Sequence, residues 1–160
     1  LLQRLLPEDV ARLWELIRAP LEASLPPTAA RTVGTMTKVL EGLSSGRLLC
    51  WLELKEDERK VSGLVTTAVV ADEFSGTKNL LIYTLWSDGT NRSAVWREDI
   101  EILKKYARSI GCAKIIAFTD KNQVESIADK LGARIGSTLI EFDLEPSLSE
   151  FGQTKPNGGV

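Results

Sequence analysis

At 160 residues, 43% of them hydrophobic and 26% charged, the chain has the size and make-up of one globular domain with its own core. The net charge of −2 and the absence of a basic stripe argue against a nucleic-acid partner. No histidine is present, which removes the commonest metal ligand and the commonest general base. Any catalysis must then draw on carboxylates, Tyr, Lys, Cys, Ser, water or backbone amides, and no metal is expected.

No stretch approaches the roughly 18 uninterrupted apolar residues of a membrane-spanning helix, so no membrane partner is expected. The sequence opens Leu1-Leu2-Gln3-Arg4 without a Met, as a fragment of a longer chain would. It shows no signal-peptide pattern, and the default expectation is cytoplasmic. Cys50 lies in an apolar run and Cys112 follows Gly111, which reads as two buried free thiols.

Pro7-Glu8-Asp9 suits the first turn of a helix, with acids at its positive end. Val10, Leu13, Trp14, Ile17 and Leu21 then share one helical face, and Pro20 should kink or end the helix. Thr28 is a candidate cap for a second helix with Val33, Met36, Leu40 and Leu43 on its apolar face, closed by Gly42 or Gly46.

Leu48–Leu54, Val61–Ala71 and Asn79–Trp86 read as three antiparallel strands, joined by a charged hairpin at 55–60 and a polar loop at 72–77. The junction Trp86-Ser87-Asp88-Gly89-Thr90-Asn91-Arg92-Ser93 leads into the longest helix, 93–110. Trp96, Ile100, Leu103, Ala107 and Ile110 give that helix its apolar face, and Gly111 fits its C′ position. Lys114–Thr119 is a short apolar strand, Asp120 or Asn122 caps a helix stopped by Gly132, and Ile135–Leu144 is the last strand. The domain is expected over 1–145, with a disordered polar tail over 146–160.

Several of these residues have both a functional and a structural reading. The junction can cradle phosphate on the amides of Gly89, Thr90, Asn91, Arg92 and Ser93, or simply form a turn and an N-cap. Trp86 can line a groove or belong to the core. Glu53, in the alternation Trp51-Leu52-Glu53-Leu54, is either a cleft carboxylate or an exposed strand residue. Tyr83 can donate a proton beside the cleft or pack with its hydroxyl satisfied. Asp72 and Glu73 read as a solvated loop, with orientation of an amine as the functional alternative.

Taken in order, two helices, an antiparallel meander, a long helix, a strand, a short helix and a final strand resemble the GNAT N-acetyltransferase superfamily over about 5–143. The most specific piece is Lys114-Ile115-Ile116-Ala117-Phe118-Thr119-Asp120-Lys121-Asn122 followed by Ile127-Ala128-Asp129-Lys130-Leu131-Gly132-Ala133. The resemblance implies a single α/β (α+β) domain, a mixed and mostly antiparallel sheet with helices on both faces. It also implies acyl transfer from acetyl-CoA, or another acyl-CoA, to a primary amine on a small molecule or peptide, and leaves a homo-dimer open.

On that resemblance the acyl donor binds where the fourth and fifth strands part. Its pyrophosphate would rest on the amides of 89–93 with Arg92, its pantetheine beside Leu85 and Trp86, and its thioester end near Thr119 and Asn122. Tyr83 and Glu53 are the candidates for proton handling. The chain departs from the family pattern in that no carboxylate stands on the strand Asn79–Trp86, where the family often places a base, and in three further places. Gly89-Thr90-Asn91 lacks a second small residue, Asp88 places a negative charge beside the diphosphate position, and Ala128 stands where the family often carries a Tyr. These departures fit an alternative reading, a catalytically inactive GNAT-like structural or interaction protein such as a phage virion or accessory component.

Overall fold

The structure is a computed structural model that describes residues 1–55, 60–89, 94–119, 132–136 and 139–144. Its elements are β1 (Gln3–Leu5), α1 (Pro7–Ala23), α2 (Thr35–Ser44), β2 (Leu49–Lys55), β3 (Lys60–Ala71), β4 (Lys78–Ser87), α3 (Ala94–Ser109) and β5 (Lys114–Ala117). Five strands form one sheet in sequence order; β1 to β4 pair antiparallel and β5 pairs parallel to β4. A parallel neighbour requires a crossover, and α3 supplies it.

Alternation along the strands sends side chains to two cores. Cys50, Leu52, Val61 and Leu64 meet Val10, Ile17, Leu21, Met36, Val39 and Leu43 of α1 and α2. Leu49, Trp51 and Val65 meet Leu103 of α3 on the opposite face, with Trp96, Ile100 and Tyr106 packed around them. The second core carries a polar signature as well. Trp51 Nε1 donates to Thr67 Oγ1 at 2.9 Å, and the Trp51 ring meets Tyr106 edge-on at 5.2 Å.

The α3 helix ends as its sequence suggests. Gly111 has φ 77°, and the N–H groups of Gly111 and Cys112 donate to the carbonyls of Arg108 and Ala107, so a left-handed glycine closes the last turn. Both cysteines are free; Cys50 is buried and Cys112 half-buried. Burial pushes the Cys50 thiol up to about 12.

Four sequence expectations are corrected. α1 runs unbroken through Pro20 to Ala23: Leu21 is fully buried beyond the proline, and packing holds the last turn despite the missing N–H. The second helix starts at Thr35 with Gly34 as N-cap, so Thr28 is not its cap. Thr35 Oγ1 instead ties the preceding turn, donating to the Ala30 carbonyl at 2.6 Å and accepting from the Thr32 N–H at 3.1 Å. Val33 lies outside that helix and is fully exposed rather than on its apolar face.

Strand β1 was not apparent in the sequence; its three residues pair with Cys50, Trp51 and Leu52. The described residues within 135–144 form no strand. Ile140 and Phe142 are 77% and 86% exposed, and no ladder pairs them among the described residues. The hairpin tip at 56–59, the helix expected from 120 or 122 and the tail at 146–160 lie outside the described residues.

Candidate functional site at the parting of β4 and β5

Parallel pairing between β4 and β5 runs from Asn79↔Lys114 to Ile82↔Ala117 and then stops. β4 continues to Ser87, still paired with β3 on its other side through Gly63↔Ser87. From Tyr83 onward one edge of β4 therefore has no strand beside it among the described residues. Backbone N–H and C=O groups on such an edge are free to pair with a ligand.

The sequence places this parting by means of a bulge. The β3–β4 register shifts between Thr66↔Thr84 and Thr67↔Ile82, which leaves Tyr83 as an extra residue on β4. A bulge bends its strand and increases local twist, and here it falls one residue past the last that β5 follows. The distortion is satisfied internally: Thr84 N–H donates to Thr66 Oγ1 at 3.2 Å, and the two buried threonine hydroxyls lie 2.7 Å apart.

The bulge also re-aims Tyr83. Its ring packs against the α1/α2 core together with Trp86, whereas Leu85, opposite Val65, lies on the α3 face and is 37% exposed. Burial raises the Tyr83 pKa above its ordinary value, which already leaves the phenol protonated at neutral pH.

Glu53 stands elsewhere. It lies on β2 opposite Gly63, two residues after Trp51 and thus on the α3 face, with β3 between it and β4. Its Oε1 accepts from the Leu1 amino group at 2.8 Å. The structure therefore puts Tyr83 and Glu53 on opposite faces and on non-adjacent strands, and does not bring them together.

A carboxylate with no obvious signal in the sequence lies close to Glu53. Asp99 of α3 is only 4% exposed and accepts the Leu2 N–H at 3.0 Å. Burial raises its pKa, the Leu2 amide partly offsets this, and the nearby Glu53 charge adds to the rise. An acid inside an otherwise apolar helix face gives no hint in the sequence of which backbone donor it will meet.

At the far end of β4, Gly89 has φ 83°, donates its N–H to Ser87 Oγ at 3.2 Å, and has open space where a Cβ would stand. Asp88, the residue before it, pairs with Lys55 Nζ at 2.8 Å. Thr119 is exposed, two residues beyond the end of β5. Thr90, Asn91, Arg92, Ser93 and Asn122 lie outside the described residues.

Asp72 is explained as a turn former. Its carboxylate accepts from the Ser75 hydroxyl at 2.8 Å and from the Phe74 and Ser75 amides at 3.0 and 3.4 Å, and these bonds hold its pKa below the usual carboxylate range. The turn joins β3 to β4 at the end of β4 remote from the parting.

No protein-family model and no curated protein matches the chain. Solved structures do match it in fold. One is a probable acetyltransferase, 14% identical, covering 92% of this chain and 98% of its own length at a TM-score of 0.67. Another is an aminoglycoside acetyltransferase from an uncultured soil metagenomic sample, in complex with sisomicin, 18% identical over 92% of this chain and 96% of its own, TM-score 0.66. A third is a predicted acetyltransferase from Clostridium acetobutylicum with acetyl-CoA, 14% identical over 90% of this chain and 96% of its own, TM-score 0.64.

Proposed function

We propose that this chain, which has the fold of the GNAT acetyltransferases, transfers an acyl group from acetyl-CoA or a related acyl-CoA to a primary amine. The observation that carries the reading is the end of β4–β5 pairing at Ile82↔Ala117 while β4 runs on to Ser87. The edge of β4 that no strand flanks among the described residues offers amide partners to the two amide groups of a pantetheine arm. Leu85 supplies apolar surface on the α3 side of the parting, and Gly89 opens the turn at its end. The amides of Thr90, Asn91 and Ser93, with Arg92, are proposed to take the diphosphate, and Thr119 and Asn122 to lie near the thioester end.

Acyl-CoA supplies a thioester whose carbonyl carbon the amine attacks; the C–N bond forms as the C–S bond breaks. What the chain contributes is chiefly position, holding amine and thioester in attack geometry. Tyr83 is the proposed proton-handling group on β4: its phenol carries a proton at neutral pH and would give it, or a hydrogen bond, to the leaving thiolate. Glu53, off that strand, is the proposed relay for the amine proton by way of water. The solved acetyltransferase holding sisomicin makes a small polyamine a reasonable first acceptor to try.

One observation favours the second reading, an inactive GNAT-like structural or interaction protein. The two proton-handling candidates do not converge, because β3 separates Glu53 from the strand that carries Tyr83. Titration with acetyl-CoA separates the readings. At ligand about 100-fold above Kd the folded state should gain about 2.7 kcal/mol, which raises Tm by roughly 5–10 °C for a domain of this size. An unchanged melting curve at millimolar acetyl-CoA overturns the transferase reading.

A further inference from the structure

The α3 face of the sheet holds a cavity of about 370 Å³ that the proposed acyl transfer does not use. It lies where β5 still pairs with β4, at Leu80↔Ile115, and so away from the parting. The paired residues Leu49↔Thr67 and Val69↔Leu80 line it from the sheet, Tyr106 lines it from α3, and the exposed Arg47, just before β2, stands at its rim. Leu49, Thr67 and Leu80 are buried, whereas Val69 is 46% exposed where the floor opens. A volume of this order is at the lower end of the range that holds small molecules.

The polar side chains of the cavity are all donors. Thr67 is fully buried, and its Oγ1 accepts from Trp51 Nε1 at 2.9 Å, which leaves the hydroxyl proton without an acceptor among the described residues. The Tyr106 ring is fixed on two sides, meeting Trp51 edge-on at 5.2 Å and lying under the Arg4 guanidinium at 5.6 Å, while its hydroxyl makes no hydrogen bond among the described residues. Arg47 donates through Nε to Ser45 Oγ at 3.2 Å, and neither Arg47 nor Arg4 meets a carboxylate among the described residues. Only Nε of Arg47 is engaged, so its two terminal nitrogens remain to take two oxygens side by side. A buried donor without an acceptor is a group that a ligand can satisfy. Donors alone, beside guanidinium charge and above an aliphatic floor, complement an anion that only accepts and that carries an apolar body.

We propose that this cavity is a binding site for a small carboxylate with an apolar body, its oxygens met by the donors of Arg47, Tyr106 and Thr67 and its body laid on Leu49, Val69 and Leu80. The site is separate from the one proposed for acyl-CoA, and the inference does not rest on that reading.

The test is calorimetric titration of the whole chain with sodium octanoate. Acetate, the carboxylate without the body, and 1-octanol, the body without the carboxylate, are the comparisons. Octanoate should bind at a single site with a Kd of about a millimolar or below, and acetate and octanol about tenfold more weakly or worse. Arg47→Gln, an exposed replacement that leaves the fold intact, should weaken octanoate about fivefold, and Arg47→Lys should weaken it less. Tyr106→Phe keeps the ring in place and should cost about threefold. Val69→Phe fills the open part of the floor and should abolish binding, with melting curves to confirm that it is folded. Absence of saturable octanoate binding, octanol binding as tightly as octanoate, or an octanoate affinity that Arg47→Gln and Val69→Phe both leave unchanged overturns the site.

Discussion

Thr66 answers for the bulge that parts β4 from β5. Its buried hydroxyl takes the Thr84 N–H and lies against the Thr84 hydroxyl. Replacing it with Val keeps the shape and leaves a buried donor without a partner. Thr66→Val should therefore cost about 1–3 kcal/mol in a denaturant titration; a cost near zero would mean the bulge holds without it. Tyr83 shows how far a residue can be read in advance. Its nearness to the cleft is legible from its place on the strand. Strict alternation, however, gives it the face of both Leu81 and Leu85. The inserted residue breaks that series, and Tyr83 shares a core with Trp86 instead. A bulge depends on the register of two strands, and no local pattern in one of them announces it. The Lys55–Asp88 pair is hidden for the same reason, since its partners meet only once the strand order is known.

Among the elements, the long periodic ones were legible, because repeated apolar spacing averages over many residues. β2, β3, β4 and α3 fall within two residues of their expected bounds. The misses are places where tertiary packing overrides a local signal. Pro20 carries a strong break signal that the burial of Leu21 outweighs, and β1 is three residues of a pattern too short to register. Gly111 is a case where local signal and fold agree, and it can be measured. A Cβ there would meet only Lys78, at 3.8 Å from its Nζ, so space is not the constraint; the φ of 77° is. Gly111→Ala should destabilise the protein by about 1–2 kcal/mol through backbone strain alone, checked by denaturant midpoint. An unchanged midpoint would mean that the helix end relaxes into another closure.

At the scale of the whole molecule, the sheet separates two cores, and among the described residues Asp99 is the one carboxylate buried, on the α3 side. Folding raises its pKa, so the folded chain holds a proton that the unfolded chain releases near its ordinary value of 3.8. The associated stability is fully present below that value and is lost as pH rises through the folded pKa. Asp99→Asn removes the titration and keeps an acceptor for the Leu2 N–H. Its Tm relative to wild type should therefore climb as pH rises from 3.8 through that window; a difference constant with pH would mean that burial leaves Asp99 untitrated there.

The molecule's central feature is still the edge of β4 beyond Ile82, which no strand flanks among the described residues. Amide hydrogen exchange with and without acetyl-CoA tests it directly. The account predicts added protection over Tyr83–Ser87, with the antiparallel strands β1 and β2 unchanged. Protection absent from Tyr83–Ser87 while acetyl-CoA is bound elsewhere, for instance against Arg47 and Tyr106 at the other end of the sheet, would contradict it.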